Sequence, residues 1–241
     1  MSDGLLDYIE EHPSEDGGGR LGRNVVWHDP RNRQFAARGT VFAEDAPIID
    51  RYWDRTYAFD QGNSSACTMF AAAGLLHTQP WRDSLSRTAL RAYDTDRERV
   101  AGYRKAQRYD PWPGQEPAYY GSSTDAPLKL LRVERRIREW RWCFGLNDVL
   151  RTLSNHGPVA VGSNWYSGMD VVDPKTCRVK IEGDIRGGHA YELYAVRTDT
   201  REVEVTNSWG NWGPCAGRFR LTWDDLERLL GEDGEACTIT L

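Results

Sequence analysis

The sequence lacks any run of 18 apolar residues, so no segment is expected to cross a membrane as a helix. Its first eleven residues are acidic and lack the basic and apolar regions of a signal peptide, which predicts a cytoplasmic chain when it is made. An excess of basic residues is also missing, since the net charge is −5. Because phosphate contacts need a concentrated basic surface, we expect no nucleic-acid partner.

Cysteine pairs of the C-x-x-C type are absent as well, which argues against a zinc site or a thioredoxin-like redox site. We expect neither a metal ion nor a cofactor. The cysteines number 5 and are irregularly spaced, at Cys67, Cys143, Cys177, Cys215 and Cys237. In a reducing compartment, those outside an active site are expected to be free buried thiols rather than disulfides.

What is present favours a folded globule. The 241 residues are 39% hydrophobic and include 10 Trp and 11 Tyr. This length fits one larger domain or two small lobes that share a cleft. Helical patterns occupy the first half, and β patterns begin near residue 158, which predicts an α+β fold.

The pattern can be followed along the chain. Residues 1–11 are weakly helical, residues 12–20 form a Gly-rich flexible linker, residues 21–59 are extended, and residues 84–108 are helical in pieces. A helix is expected over Asp125–Trp140, with the charge run Arg132–Arg141 as its solvated face. The predicted strands are Val159–Val161, Arg178–Ile181, Ala190–Val196, Arg201–Val205 and Cys237–Ile239, with a short helix at Asp225–Leu230.

The stretch Asp60–Gly74 predicts a polar, Gly-containing loop followed by a short Ala-rich helix, with Cys67 at the first helical position. The unpaired N–H groups and the positive dipole end of a helix stabilise a thiolate. Such sites lower a cysteine pKa from about 8.5 to between about 3.5 and 7.5. Taken alone, however, a cysteine in this position is more often a small buried hydrophobe.

Two distant residues change that interpretation. His189 follows two glycines and precedes an apolar run, and Asn207 follows the next apolar run. A cysteine, then a histidine, then an asparagine at long range fits a nucleophile, its base and an amide that orients the base. The structural alternatives are a core histidine and a turn asparagine.

At these residues the sequence resembles the papain-like cysteine peptidases. Gln61 stands before Cys67 within an Asp-Gln-Gly opening, as the oxyanion-hole glutamine does in that family, and Trp209 resembles the indole that shields the family's His–Asn hydrogen bond. The sequence departs from the family signature at Ser64 and Thr68, where the family has a cysteine and an aromatic residue. The resemblance implies a two-lobed fold, with a helical N-terminal lobe, an antiparallel β C-terminal lobe and the active site in the cleft between them.

The resemblance also implies an activity. A cysteine-type peptidase would cleave peptide or protein substrates through an acyl-enzyme, with Gln61, Cys67, His189 and Asn207 as its catalytic residues. Two alternatives remain open. The same residues could hydrolyse or transfer a side-chain or cell-wall amide, or the chain could be a catalytically silent binding or structural module with the same fold.

The resemblance covers about residues 45–241 and is weak over residues 78–140, where no equivalent of the family's paired-glycine substrate segment is found. We therefore predict an N-terminal extension and linker over residues 1–40 and a papain-like peptidase domain over residues 41–241. The extension is shorter than the family's inhibitory pro-segments. The enzyme is accordingly expected to be active without processing, with the extension at most a weak competitor for the cleft.

Overall fold

The computed structural model describes residues 20–24, 30–55, 58–111, 113–115 and 119–241. The helical pattern expected over residues 1–11 and nearly all of the linker expected over residues 12–20 lie outside the described residues. Within the predicted extension, Pro30–Phe35 form a 3-10 helix, and the Ala37 N–H donates to the Trp142 carbonyl over 2.7 Å. This part of the chain packs against the main body, and the division at residue 40 stays a prediction.

Helices form the first lobe. They are α1 (Cys67–His77), α2 (Trp81–Ser84), α3 (Arg87–Arg91), α4 (Asp96–Ala106) and α5 (Asp125–Val133). Every residue of α1 is buried, as expected of a helix that is hydrophobic on all sides. A capping box starts α4: the Thr95 hydroxyl accepts from the Glu98 N–H over 3.2 Å, and the Glu98 carboxylate accepts from the Thr95 N–H over 2.9 Å.

An antiparallel sheet forms the second lobe. Its strands are β1 (Arg51–Tyr52), β2 (Glu139–Trp142), β3 (Val159–Tyr166), β4 (Ile185–Arg197), β5 (Glu202–Thr206), β6 (Arg218–Thr222) and β7 (Glu235–Thr240). The order across the sheet is β2-β7-β3-β4-β5-β6, and β1 pairs with β4. Two further helices, α6 (Leu146–Asn155) and α7 (Trp223–Gly231), accompany the sheet. Among the described helices, none is long and apolar enough to cross a membrane.

The core consists of two apolar clusters that meet at β4. The first lies among α1, α4 and α5 and includes Phe70 and Leu128. The second lies between the sheet and helices α6 and α7 and includes Leu153. Because successive side chains of a strand point to opposite faces, Ala190 of β4 lies in the first cluster and Tyr191 in the second. The expected α+β fold, with a helical lobe and an antiparallel β lobe, is confirmed.

Two sequence-based predictions of elements are wrong. The helix expected over Asp125–Trp140 ends at Val133, and Glu139–Trp142 instead pair with β7 as a strand. Arg132–Arg141 is therefore not one solvated helical face. The predicted strand Arg178–Ile181 contributes only an isolated bridge, from Arg178 to a residue of β6. Both errors concern segments whose conformation depends on a partner strand distant in sequence.

A disulfide joins Cys177 and Cys215, whose Cα atoms are 6.1 Å apart. The expectation of free thiols outside the active site is wrong for this pair, because the fold brings together two cysteines 38 residues apart. Cys67, Cys143 and Cys237 are free and buried. Disulfides are typical of oxidising compartments, so the predicted cytoplasmic location stays a prediction.

We expect the double variant Cys177→Ser/Cys215→Ser to lose about 2–4 kcal/mol of unfolding free energy, because the disulfide closes a loop with a sequence separation of 38. Urea denaturation with and without a reductant measures this loss. The unmodified protein should be destabilised by the reductant, and the double variant should not respond to it. Equal stability of the two proteins under oxidising conditions would contradict the pairing.

Candidate active site

Cys67 is the first residue of α1, as the sequence predicts. Its buried thiol lies against the backbone N–H groups of Gly22, Thr68 and Ala190. Ala190 directly follows His189 in β4. The thiol at the start of the central helix therefore lies beside the strand that carries the candidate base.

The loop before Cys67 is fixed to the segment that follows β5. The Gln61 N–H donates to the Ser208 carbonyl over 2.8 Å, and the Gly210 N–H donates to the Phe59 carbonyl over 2.8 Å. The Ser208 hydroxyl also donates to Gln61 Oε1 over 2.6 Å. Because Oε1 accepts from Ser208, the amide nitrogen Nε2 is left to donate elsewhere. This orients the Gln61 side chain as a hydrogen-bond donor at the site.

His189 and Asn207 form a direct hydrogen bond. The distance between His189 Nε2 and Asn207 Oδ1 is 2.8 Å. The Ser208 N–H also donates to Asn207 Oδ1, over 2.8 Å, which identifies Oδ1 as an acceptor. In the neutral ring, Nε2 therefore carries the proton and Nδ1 is the basic nitrogen. Nδ1 is buried, and the backbone of Arg20 lies close enough to the imidazole to oppose the fall in its pKa.

Aromatic rings shield this pair from water. The ring centroids of Trp209 and His189 are 4.9 Å apart, with an angle of 38° between the planes. Trp165 contacts the same imidazole edge-on, with the centroids 4.9 Å apart. The position of Trp209 agrees with the shielding role that the resemblance implies. Trp165 is a second shield that the sequence did not identify.

Burial determines the protonation of both groups. It raises the pKa of the Cys67 thiol to about 11, although backbone hydrogen bonds oppose the rise. It also lowers the pKa of His189 to about 4, although the hydrogen bond to Asn207 opposes the fall. At neutral pH this site holds a neutral thiol and a neutral imidazole. The expected lowering of the thiol pKa is wrong for this conformation, because desolvation outweighs the helix N-terminus.

The burial has a specific cause, since the chain segment Arg20–Asn24 lies across the cleft. The N–H groups of Gly22 and Arg23 donate to the Gly188 carbonyl over 3.0 and 2.9 Å. On the other side, the segment pairs with Ser122. The Ser122 N–H donates to the Gly22 carbonyl over 2.7 Å, and the Ser122 carbonyl accepts from the Asn24 N–H over 2.9 Å. The segment thus lies between two walls of the cleft, with an isolated β-bridge between Arg23 and Ser122.

The same segment reaches the candidate catalytic residues. Gln61 Nε2 donates to the Arg20 carbonyl over 3.0 Å, and the Arg20 guanidinium lies 5.8 Å from the Trp209 ring centroid. Cys67 and His189 are both 0% exposed in this arrangement. A substrate can therefore reach the thiol only after Arg20–Asn24 has moved.

Glycines allow the close approach of segment and cleft. A Cβ at Gly22 would lie 2.1 Å from the Ser65 carbonyl oxygen, and a Cβ at Gly188 would lie 2.1 Å from the Arg23 carbonyl oxygen. Neither position has room for a side chain. Substitution of Gly22 should therefore displace the segment without altering the cleft itself.

Sequence reasoning missed three features of the site. Ser208, which positions Gln61, stands next to Asn207 and could have been noticed for that reason. Ser122 contacts the segment, although the region around it matches the family weakly. The local signal in the sequence was the preceding glycine, Gly121, whose φ is +83°. The ion pair of Arg23 with Glu235 joins residues from opposite ends of the chain, which no local pattern predicts.

The structure brings together all four residues proposed from the sequence: Gln61, Cys67, His189 and Asn207. Across the described ranges, no group of three or more His, Cys, Asp or Glu side chains is arranged to hold a metal ion. The chemistry available at the site is therefore that of a thiol, an imidazole, two amides and backbone N–H groups.

Comparison with known proteins gives a likeness of structure but not of sequence. No model of a known protein family and no curated protein sequence matches the chain. Among solved structures, xylellain, a cysteine protease from Xylella fastidiosa, is 16% identical with a TM-score of 0.62, over 92% of this chain and 96% of that one.

Two precursor structures are also similar. The digestive procathepsin L 3 of Tenebrio molitor larval midgut is 14% identical with a TM-score of 0.54, over 100% of this chain and 90% of that one. A recombinant stem bromelain precursor is 14% identical with a TM-score of 0.52, over 100% and 90% of the two chains. At such identities the likeness establishes the fold. This chain has the fold of the papain-like cysteine proteases.

Proposed function

We propose that the chain is a cysteine peptidase that hydrolyses peptide bonds through Cys67, His189 and Asn207, with Gln61 in the oxyanion hole. The observation that carries the proposal is the orientation of the His189 ring. Asn207 engages Nε2 over 2.8 Å, which leaves the buried Nδ1 as the basic nitrogen beside the strand that contacts the Cys67 thiol.

In the first half of the reaction, His189 Nδ1 accepts the thiol proton as Cys67 Sγ attacks the carbonyl carbon of the substrate. Gln61 Nε2 donates to the oxyanion that forms. The present contact of Nε2 with the Arg20 carbonyl, over 3.0 Å, supports this role, because the amide already binds a backbone carbonyl. Loss of such a donor costs about 2.7–4 kcal/mol of transition-state stabilisation.

In the second half, the imidazolium gives its proton to the leaving amine as the C–N bond breaks, which leaves a thioester on Cys67. Water then attacks the thioester while Nδ1 accepts a proton from it. The C–S bond breaks, the acid product leaves, and the proton returns to the thiol. Asn207 keeps the His189 ring oriented throughout, and Trp209 protects their hydrogen bond from water.

The chain segment that fills the cleft supports the proposal that the substrate is a peptide or protein. Arg20–Asn24 is a polypeptide segment held through backbone hydrogen bonds to Gly188 and Ser122, and such hydrogen bonds do not depend on side-chain identity. The complete burial of Cys67 and His189 favours one alternative, a silent module in which the segment never leaves. Access to the thiol distinguishes the two functions.

We expect Gly22→Ala to speed the alkylation of Cys67 by iodoacetamide about tenfold or more, because the added Cβ would collide with the Ser65 carbonyl, at 2.1 Å, and displace the segment. Mass mapping after brief treatment measures the rate. A tenfold change corresponds to about 1.4 kcal/mol of docking free energy.

Gly231→Ala is the matched control, since a Cβ there meets nothing within 4 Å; it should label at the rate of the unmodified chain. Cys143 and Cys237 should stay unlabelled in all three proteins because both are buried in the core. If Cys67 resists alkylation equally in the Gly22→Ala chain, the silent module is the better interpretation.

In the Gly22→Ala chain, Cys67→Ser and His189→Ala should each reduce kcat/KM on a fluorogenic peptide by at least about a thousandfold, with the double variant little worse than either. The losses should not add because both residues act in the same step, in which His189 accepts the thiol proton as Cys67 attacks the substrate carbonyl. Asn207→Ala should be milder, because it removes orientation and not a reacting group.

Cys143→Ser is the control for removing a thiol, since Cys143 is free and buried in the core, where its Sγ lies 3.3 Å from Thr152 Oγ1. It should retain activity. Losses that add in the Cys67→Ser/His189→Ala variant would argue against a shared mechanism.

A further inference from the structure

A buried ion pair lies behind the candidate active site, and neither of its residues takes part in the proposed reaction. Arg55 Nε lies 3.5 Å from Glu192 Oε2, and the two side chains are 5% and 2% exposed. We call Arg55 and Glu192 the junction pair. Replacing such a pair by apolar residues of similar volume is often neutral or stabilising, so stability alone does not account for its presence.

Arg55 contacts residues that flank two members of the site. Its Nη1 donates to the hydroxyl of Thr206, which directly precedes Asn207. Thr206 is also the partner of Glu192 across strands β4 and β5, so the guanidinium contacts both members of a cross-strand pair. From that pair toward the cleft, β4 leads back to His189 and β5 leads on to Asn207.

The ring of Phe59 holds the plane of the guanidinium. The Arg55 guanidinium carbon lies 4.3 Å from the Phe59 ring centroid. The Phe59 carbonyl accepts from the Gly210 N–H over 2.8 Å, so the ring belongs to the segment that is tied to the loop after Asn207. Stacking and directed hydrogen bonds both require a planar guanidinium, which a lysine ammonium does not provide.

Glu192 brings the helix of the nucleophile into the same contact. A Cβ at Gly74 would lie 2.5 Å from Glu192 Oε2, so the carboxylate lies directly against α1. Glycine is unfavourable inside a helix relative to alanine, and here the close approach of the carboxylate requires it. The junction pair therefore contacts the helix that begins at Cys67, the strand that carries His189 and the strand that ends before Asn207.

Each charge of the pair depends on the other. Burial lowers the pKa of Arg55, and Glu192 opposes the fall. Burial raises the pKa of Glu192, and Arg55 opposes the rise. Removing one partner leaves an uncompensated buried charge and destabilises the fold, whereas removing both does not. A double replacement therefore separates a role in stability from a role in the reaction.

We propose that Arg55 is a positioning residue for the candidate active site: paired with Glu192, it holds Asn207 against His189. Its effect reaches the reaction through Thr206 and Asn207, which keep the imidazole oriented while Nδ1 accepts and returns the proton. The effect on rate rests on the proposed peptidase function.

The replacement Arg55→Met/Glu192→Met in the Gly22→Ala chain tests the effect on rate. On a fluorogenic peptide, kcat should fall at least tenfold, about 1.4 kcal/mol, and KM should change less than threefold, because orientation is lost and the groups that bind the peptide backbone stay. The urea midpoint should be no lower than that of the Gly22→Ala chain. An unchanged kcat in this stable variant overturns the proposal.

Arg197→Met/Glu204→Met is the matched control. Arg197 and Glu204 form an ion pair between the same two strands, at the end of β4 away from His189. This control should keep the kcat of the Gly22→Ala chain. An equal fall in kcat would show a general effect of charge removal from the sheet and would overturn the assignment to Arg55.

A double-mutant cycle with Asn207 tests the route of the effect. When Asn207→Ala is already present, the double replacement of the junction pair should lower kcat less than threefold, because the residue through which it acts is gone. Losses that add fully would show that the pair acts elsewhere and would overturn the proposal.

A measurement on the imidazole does not require turnover. In the unmodified chain, NMR of ¹⁵N-labelled histidine should show a slowly exchanging Nε2 proton of His189, assigned by its loss in Asn207→Ala. The double replacement of the junction pair should speed this exchange at least tenfold, and the Arg197 and Glu204 control should not. Faster exchange in a chain that cleaves no peptide supports the positioning role and contradicts the peptidase function. Unchanged exchange in a chain that cleaves peptides overturns the positioning role and leaves the function standing.

Arg55→Lys decides the outcome if the double replacement does not fold. Lysine keeps a positive charge beside Glu192 and lacks the planar fork that reaches Thr206. We expect kcat to fall at least threefold and the Nε2 proton of His189 to exchange faster. Unchanged values of both overturn the proposal.

Discussion

The backbone pairing between Phe59–Gln61 and Ser208–Gly210 is the contact on which the site depends. These two hydrogen bonds, each 2.8 Å long, join the loop that precedes the nucleophile to the loop that follows the candidate orienting amide. Each contributes only about 1 kcal/mol of stability. Their importance is geometric, because they fix Gln61, Cys67 and Asn207 relative to one another across the junction of the two lobes.

Ser208 takes part in both halves of this arrangement. Its N–H fixes the amide orientation of Asn207, and its hydroxyl fixes that of Gln61. One residue therefore determines which nitrogen of His189 is basic and which end of Gln61 donates. The orientations of both amides at the site, those of Gln61 and Asn207, therefore depend on Ser208.

Covering the site changes its chemistry as well as its accessibility. A rise in the thiol pKa from its ordinary value to about 11 corresponds to about 3 kcal/mol against the thiolate. A helix N-terminus contributes about 0.3–1 kcal/mol in favour of it. The sequence indicated the helix end correctly but contained no sign of the segment that would exclude water, so the direction of the shift was predicted wrongly.

The contrast between predicted and unpredicted features has a physical basis. Cys67 was proposed because a polar loop before an Ala-rich helix is a local pattern, and His189 and Asn207 because each lies at a glycine-rich or polar boundary of an apolar run. Gln61 was proposed from the family resemblance. The strand Glu139–Trp142 was missed because β7, its partner, is about a hundred residues away. The ion pair of Arg23 and Glu235 and the pairing of Cys177 with Cys215 depend on the same kind of long-range contact.

The disulfide encloses some residues of the candidate site in a covalent ring and leaves the others outside it. The covalent ring that it closes, with a sequence separation of 38, contains His189, Asn207 and Trp209 but neither Cys67 nor Gln61. The base, its orienting amide and its aromatic shield thus remain near one another even in an unfolded chain, because the ring limits their separation. The nucleophile has no such tether, and only the folding of the helical lobe against β4 brings it to the base.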